Sequence, residues 1–296
     1  MPVVPLEDVS THHDVPLTEV LNLDSFDPPH DLGVSKHRVE LPRDTELNAL
    51  LVNQGSDVLV VALHGATQRH KDLPRFEWFR TLRDMQYSSL YFTDPALYLE
   101  PRIELAWYTG WRDFDFFSVM ADWSRRAATA VGASQVIFLG SSGGGFAALQ
   151  VATLIPGSLA LPFSPQTSIA NYLVRGTGLG AQRNYIRTVM PHLTPESGVD
   201  VLRPDEDYFA SLGDMASPIS TYEKPQSNYV LYVQNLNDAV HLEQHYAPFR
   251  RSVENGPNHD RVRFLVQEDR EGHNPPRQEN FKAALDEAAD WMHSMR

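Results

Sequence analysis

The sequence contains no cysteine. That excludes disulfides, thiol catalysis and cysteine-ligated zinc or iron–sulfur centres. It also contains no run of 18 apolar residues. The opening Met-Pro-Val-Val-Pro-Leu-Glu-Asp has neither a basic nor an apolar leader segment, so a cytoplasmic chain with no membrane span is expected. Basic charge is scarce: 25 Lys and Arg stand against 38 Asp and Glu, a formal net charge of −13. With no basic stripe, a nucleic-acid partner is not expected. Internal repeats and low-complexity tracts are missing as well. What is present is ordinary globular composition, 42% hydrophobic and 21% charged over 296 residues, enough for one large domain carrying an insertion.

Short apolar runs recur along the chain. Residues 58–63, 88–93, 136–139, 158–163, 229–233 and 262–266 read as strands, and 72–86, about 117–131, 146–155 and 278–293 as helices. Strands alternating with helices predict an α/β fold whose mostly parallel sheet is covered on both faces. Segments 34–41 and 46–53 alternate like an antiparallel pair of edge strands. Residues 1–33, rich in Pro, Asp and His, are expected to be an irregular lead-in to a domain spanning 34–296. Residues 165–226 interrupt the rhythm and read as a lid or cap over the carboxyl ends of the strands. Tyr172, Tyr185, Tyr208 and Phe209 would give that lid stacking surfaces, and Gly176, Gly178 and Gly180 its hinges.

The most informative stretch runs Val136-Ile137-Phe138-Leu139-Gly140-Ser141-Ser142-Gly143-Gly144-Gly145-Phe146. A buried strand ends in G-x-S-x-G and a small-residue helix follows at once, the pattern of a nucleophile elbow. The glycines have a steric reason. A serine on a sharp strand-to-helix turn needs small residues two places before and after it, because the chain nearly touches itself there. Gly140 and Gly144 fill those places around Ser142. Ser141 has no glycine two positions earlier. A phosphate-binding loop is the rival reading, but the segment fits neither G-x-x-x-x-G-K-[ST] nor G-x-G-x-x-G.

A serine hydroxyl needs a base, and the base needs an orienting acid. Two later strand ends offer both groups. Residues 229–233 lead into Gln234-Asn235-Leu236-Asn237-Asp238, and residues 262–266 lead to Gly272-His273. Asp238 is the candidate acid, with Asp207, Asp214 and Asp260 as rivals. His273 is the candidate base, with His241, His245 and His259 further from a strand end. The order Ser142, Asp238, His273 resembles that of the α/β-hydrolase family, and the likeness runs from about residue 34 to the C-terminus. The resemblance implies an oxyanion hole made by the backbone N–H of Gly143 and, after His64-Gly65, that of Ala66, with Thr67 an alternative. His64 itself reads as a structural loop residue. Asp94-Pro95, Trp107-Tyr108-Thr109-Gly110, the elbow and Phe163-Ser164-Pro165-Gln166 also resemble hydrolase-like proteins found with bacterial surface-polysaccharide glycosyltransferases. That likeness implies an acylated sugar or glycan as substrate.

The expected activity is therefore a serine esterase working through an acyl-enzyme, with a small-molecule or glycan ester as partner and neither cofactor nor metal. An O-acyltransferase with the same triad, or a non-catalytic binding protein on the same fold, are the competitors. Trp107, Tyr108 and Tyr172 are candidate substrate-binding residues, although aromatic loops more often pack on their own domain. His241 and His245 stand four apart, but Glu243 between them matches neither H-E-x-x-H nor H-x-x-E-H. His12-His13-Asp14 reads as a solvated turn. Arg75, Arg102 and Arg112 would lie near the mouth of the site.

Overall fold

The computed structural model describes residues 2–67, 73–172, 180–203 and 206–295. Its strands are β1 (Leu17–Glu19), β2 (Gly33–Leu41), β3 (Thr45–Asn53), β4 (Val58–Leu63), β5 (Ser88–Phe92), β6 (Gly110–Trp111), β7 (Phe114–Asp115), β8 (Gln135–Ser141), β9 (Leu159–Phe163), β10 (Tyr229–Asn235) and β11 (Val262–Gln267). The helices are α1 (Phe79–Arg83), α2 (Phe116–Val131), α3 (Gly143–Ala152), α4 (Gly180–Asn184), α5 (Pro218–Tyr222), α6 (Ala239–His241), α7 (Ala247–Glu254) and α8 (Gln278–Ser294). Nine strands form one sheet in the order β1-β2-β3-β5-β4-β8-β9-β10-β11, and β6 and β7 make a separate small hairpin. From β5 to β11 neighbouring strands run parallel, while β3 is antiparallel to both β2 and β5.

The central strands are apolar throughout because both faces are covered. Leu59, Val61, Leu63, Phe138 and Tyr232 pack in one core with α2, α3 and α7. Their alternating neighbours Val58, Val60, Ala62, Ile137, Leu139 and Leu231 pack in a second core with α1 and α8. Helix α2 starts where the Asp115 side chain accepts the Ser118 N–H and stops at Gly132, which takes the left-handed conformation at φ 73°.

Three expectations need correcting. The helix predicted over 72–86 is only the single turn and a half of α1; residues 73–78 are irregular, with bends and a turn, and Trp78 enters α1 in a left-handed conformation. The cause is local. Proline at 74 disfavours helix, and the Arg75 N–H and carbonyl are both engaged by the Thr93 hydroxyl at 2.9 and 3.2 Å. The lead-in, though mostly irregular, contributes edge strand β1 parallel to β2 and buries Val9, Val15 and Phe26. His12 is half-buried rather than solvated, edge-on to Phe76 at 5.2 Å, while His13 and Asp14 of the same turn are exposed. Among the described residues, no helix is long and apolar enough to cross a membrane.

Candidate active site

Register brings the candidate residues to one edge of the sheet. Ser141 pairs with Phe163, Phe163 with Val233, and Asn235 with Gln267, so β8, β9, β10 and β11 end side by side. Functional groups in open α/β sheets sit beyond those carboxyl ends. Ser142 follows β8 at φ 56°, ψ −120°, outside the regions that side-chain-bearing residues favour, and α3 starts at the next residue. Closeness of chain to chain maintains this turn. A Cβ on Gly140 would stand 2.4 Å from the Gly144 carbonyl carbon, and one on Gly144 would stand 2.3 Å from the Leu63 carbonyl oxygen. Both contacts are with backbone, which cannot swing aside. Gly140→Ala is therefore expected to cost about 2–3 kcal/mol of stability. Thermal unfolding checks it; an unchanged midpoint would show that the turn relaxes without penalty.

Asp238 and His273 come from different strand ends and meet. The Nδ1–H of His273 donates to Asp238 Oδ2 at 2.6 Å, which leaves Nε2 as the ring nitrogen available to accept a proton. Burial pushes the Asp238 carboxyl up, but the hydrogen bonds that His241 and His273 donate outweigh it, holding the group well below the usual carboxylate range. Asp238 is buried, while the His273 side chain is 35% exposed, so the carboxylate is enclosed and the imidazole is reachable.

Two asparagines hold these loops together. Asn235 Oδ1 accepts the N–H groups of Asn237 and Asp269, both at 3.0 Å, and its Nδ2 donates to the Arg270 carbonyl at 2.7 Å. Asn237 Nδ2 donates to the Asp269 carbonyl at 2.8 Å, and the Gly272 N–H returns to the Asn237 carbonyl at 2.9 Å. In sequence Asn-x-Asn-Asp resembles an ordinary turn; here it fastens the acid loop to the histidine loop. No local signal distinguishes the two uses.

The β4 end lies against the elbow. A Cβ on Gly65 would stand 3.7 Å from the Ser142 Cβ. The Gly65 N–H donates to the Glu77 carboxylate at 2.8 Å and the Thr67 N–H to the Glu104 carbonyl at 2.7 Å. Among the described residues, no acceptor is paired with the N–H of Ala66 or of Gly143, the first residue of α3. Of the two alternatives after His64-Gly65, Ala66 thus keeps a donor to offer and Thr67 does not. His64 is structural: its Nδ1 is 2.8 Å from the Gly65 carbonyl and its Nε2 accepts the Asp94 N–H at 3.2 Å. Burial pushes it down to about 3, so it stays neutral. Asp94 Oδ2 accepts the Tyr108 N–H at 2.8 Å, and the Tyr108 hydroxyl accepts the His64 N–H at 2.8 Å. Tyr108 is completely buried in this network and cannot touch a substrate, contrary to expectation.

Trp107 is equally buried, but its indole reaches the serine through one side chain. Its N–H donates to Gln166 Oε1, and Gln166 Nε2 donates to Ser142 Oγ at 3.1 Å. An indole N–H can only donate, so the amide orientation of Gln166 is determined. Among the described residues, no hydrogen bond links Ser142 to His273. Catalytic contacts in unliganded sites are often long and tighten only on binding. Gln166 has no motif of its own and was not a predicted site residue; Phe163-Ser164-Pro165-Gln166 in the glycan-enzyme resemblance was the signal available.

No protein-family model matches the chain, and no curated protein matches it in sequence. Solved structures do match in shape. An esterase of Pyrococcus furiosus is 16% identical with a TM-score of 0.51, the match covering 90% of this chain and 97% of that one. A capsule O-acetyltransferase of Neisseria meningitidis serogroup A is 14% identical with a TM-score of 0.52, covering 87% and 93%. A glycosylation-associated protein complex of Streptococcus agalactiae supplies a third, 13% identical with a TM-score of 0.54, covering 88% of this chain and 45% of that one. The chain has the α/β-hydrolase fold. It spans only 36% of another match, the prolyl oligopeptidase B of Galerina marginata.

On this hydrolase fold the remaining candidates separate clearly. Tyr172 lies among site residues, its ring 6.1 Å from Trp107 and 6.2 Å from His241. Tyr185 is buried, its hydroxyl 2.8 Å from that of Thr109, and Phe209 is buried beside it. Tyr208 packs half-buried against the same core, its hydroxyl bonded to Glu206. Gly176 and Gly178 lie outside the described residues. Arg75 is held by the Ala66 carbonyl and Glu77, at 2.9 and 3.0 Å, while Arg102 and Arg112 are exposed. Among the rival acids, Asp214 is bonded to Ser220 and Lys224, Asp207 caps the Phe209 N–H, and Asp260 is exposed like His259.

Donor atoms of Asp238, His241 and His273 lie within 4.8 Å of one another. Their arrangement does not suit a metal. The two imidazoles are parallel with centroids 3.7 Å apart, so a shared ion would sit ~1.9 Å out of each plane, whereas the nitrogen lone pair lies in the plane.

Proposed function

We propose that this chain is a serine hydrolase that cleaves carboxylic esters through an acyl-enzyme. The observation that carries the reading is the strained Ser142 turn standing at the same sheet edge as the Asp238–His273 pair. Ser142 Oγ attacks the carbonyl carbon while His273 Nε2 takes its proton, and Asp238 stabilises the resulting imidazolium. The Gly143 and Ala66 N–H groups receive the oxyanion. Collapse of the tetrahedral intermediate breaks the bond to the leaving alcohol, which carries away the proton from His273. Water then gives a proton to His273, attacks the acyl carbon and releases the acid, and Ser142 recovers its proton.

Gln166 donates to the Oγ lone pair that is not attacking, leaving the hydroxyl hydrogen for His273. Gln166→Glu tests this. A carboxylate can only accept, so it would draw the Ser142 proton to itself. Fluorophosphonate labelling should slow by about tenfold or more with thermal unfolding little changed; labelling at the native rate would remove Gln166 from the mechanism.

An O-acyltransferase on the same residues is the second reading. It is favoured by the likeness to a capsule O-acetyltransferase over nearly the whole of both chains, and it would make a sugar or glycan the acyl acceptor. In it a sugar hydroxyl takes the place of water. A fluorophosphonate label on Ser142, followed by acyl esters with and without a polyol acceptor, separates the two. Free acid as the main product with acceptor present supports the hydrolase, and acylated polyol the transferase. A native protein that neither labels nor turns over any ester would overturn both.

A further inference from the structure

Asp238 serves two imidazoles. His273 Nδ1 meets Oδ2, while His241 meets Oδ1 through both its backbone N–H, at 3.3 Å, and its Nδ1, at 3.2 Å. The two rings stack face to face, centroids 3.7 Å apart and planes 4° from parallel. His241 is 2% exposed, and burial holds it below the ordinary imidazole range against the opposing pull of Asp238. It is therefore neutral with its proton on Nδ1, and its Nε2 is a buried acceptor that finds no partner among the described residues. Next along the chain, His245 accepts the Thr167 N–H on Nδ1 at 3.2 Å, and burial keeps it neutral too. The ionisable groups facing His241 are Asp238, His273, His245 and Tyr172. Of these described groups Asp238 alone brings a negative charge, enough to compensate one imidazolium.

We propose that His241 is a positioning residue for the Asp238–His273 pair: it occupies one carboxylate oxygen and backs one face of the His273 ring. The kinetic part rests on the serine-hydrolase reading, whereas the coupling of the three side chains belongs to the resting protein. Two consequences follow from the geometry. The hydrogen bond from His241 draws charge off Asp238 and so competes with His273 for the same carboxylate. The stack keeps water from one face of the base and restricts its rotation.

Two substitutions separate these effects. His241→Phe keeps the stack and loses the Nδ1 donor, while the backbone N–H still caps Asp238. His241→Asn keeps a donor and loses the stack. For His241→Phe the acidic limb of kcat/KM for an activated ester should move up by about half a pH unit or more. For His241→Asn the limb should move less and plateau kcat should fall about tenfold. Limbs that superimpose on the native one in both variants, with plateau rates within about twofold, would overturn the proposal. NMR titration of the His273 ring in the resting protein supplies a readout independent of turnover. If the native protein proves inert to esters and fluorophosphonate, the hydrolase reading fails, and the ring titration decides on His241 alone. A midpoint raised in His241→Phe supports the coupling and an unmoved one overturns it. Should the Phe variant not fold, the ring titration of His241→Asn takes over, with a broadened or displaced ring resonance as support and a native one as refutation.

Discussion

Replacing Ser142 by alanine is expected to abolish fluorophosphonate labelling and to lower ester turnover by about four to six orders of magnitude. The Ser142 hydroxyl is the one that the strained turn presents for the covalent bond, and its removal would leave the Asp238–His273 pair with nothing to activate. The fold should persist. Alanine removes one oxygen, and the contacts that hold the turn, Gly140 against Gly144 and Gly144 against Leu63, are all backbone. Among the described residues, only the Gln166 amide loses a side-chain partner. The neighbouring Ser141→Ala should keep substantial activity, because Ser141 is the last residue of β8, paired with Phe163 rather than held in the strained turn. Mass spectrometry of the labelled protein and an ester assay decide the matter. Label retained in the Ser142 variant and lost in the Ser141 variant would move the nucleophile by one residue.

Asp238→Asn should depress kcat by about two to four orders of magnitude. An amide has one acceptor oxygen where the carboxylate has two, and here both oxygens are used, Oδ2 by His273 and Oδ1 by His241. The amide must present its NH2 group to one Nδ1–H, and the base loses its tautomer, its orientation and the charge that stabilises its protonated form. Stability should follow with a definite sign. The folded carboxyl is held below its unfolded value of about 4, so its contribution is present above that pH and is lost as pH falls through the folded value. The difference in thermal unfolding between native and variant should therefore be largest near neutrality and shrink below about pH 4. Near-native turnover in this variant would remove Asp238 from the mechanism. The rivals offer no substitute, since Asp214 is committed to Lys224 and Asp207 to its own turn.

The sequence by itself determined the layered α/β architecture, because strands buried on both faces must be apolar throughout and helices must alternate with them. It also determined the elbow, since only glycine at 140 and 144 leaves room for backbone to approach within 2.4 Å of where a side chain would begin. Those signals are local, set by the residue and its near neighbours. The tertiary structure alone decided what the candidate side chains face. Strand register, not motif, brings Asp238 and His273 together, and the Asn235 and Asn237 staples need two loops more than thirty residues apart in sequence to be visible. Burial turned Tyr108 from a substrate contact into a brace for the β4 end, and it turned His241 from half of an unmatched metal spacing into the second partner of Asp238. Gln166 meets Ser142 only because β9 lies beside β8. Hydrogen bonds between polar side chains depend on distance and direction in space, and a pattern along the chain carries neither once the partners come from different strands.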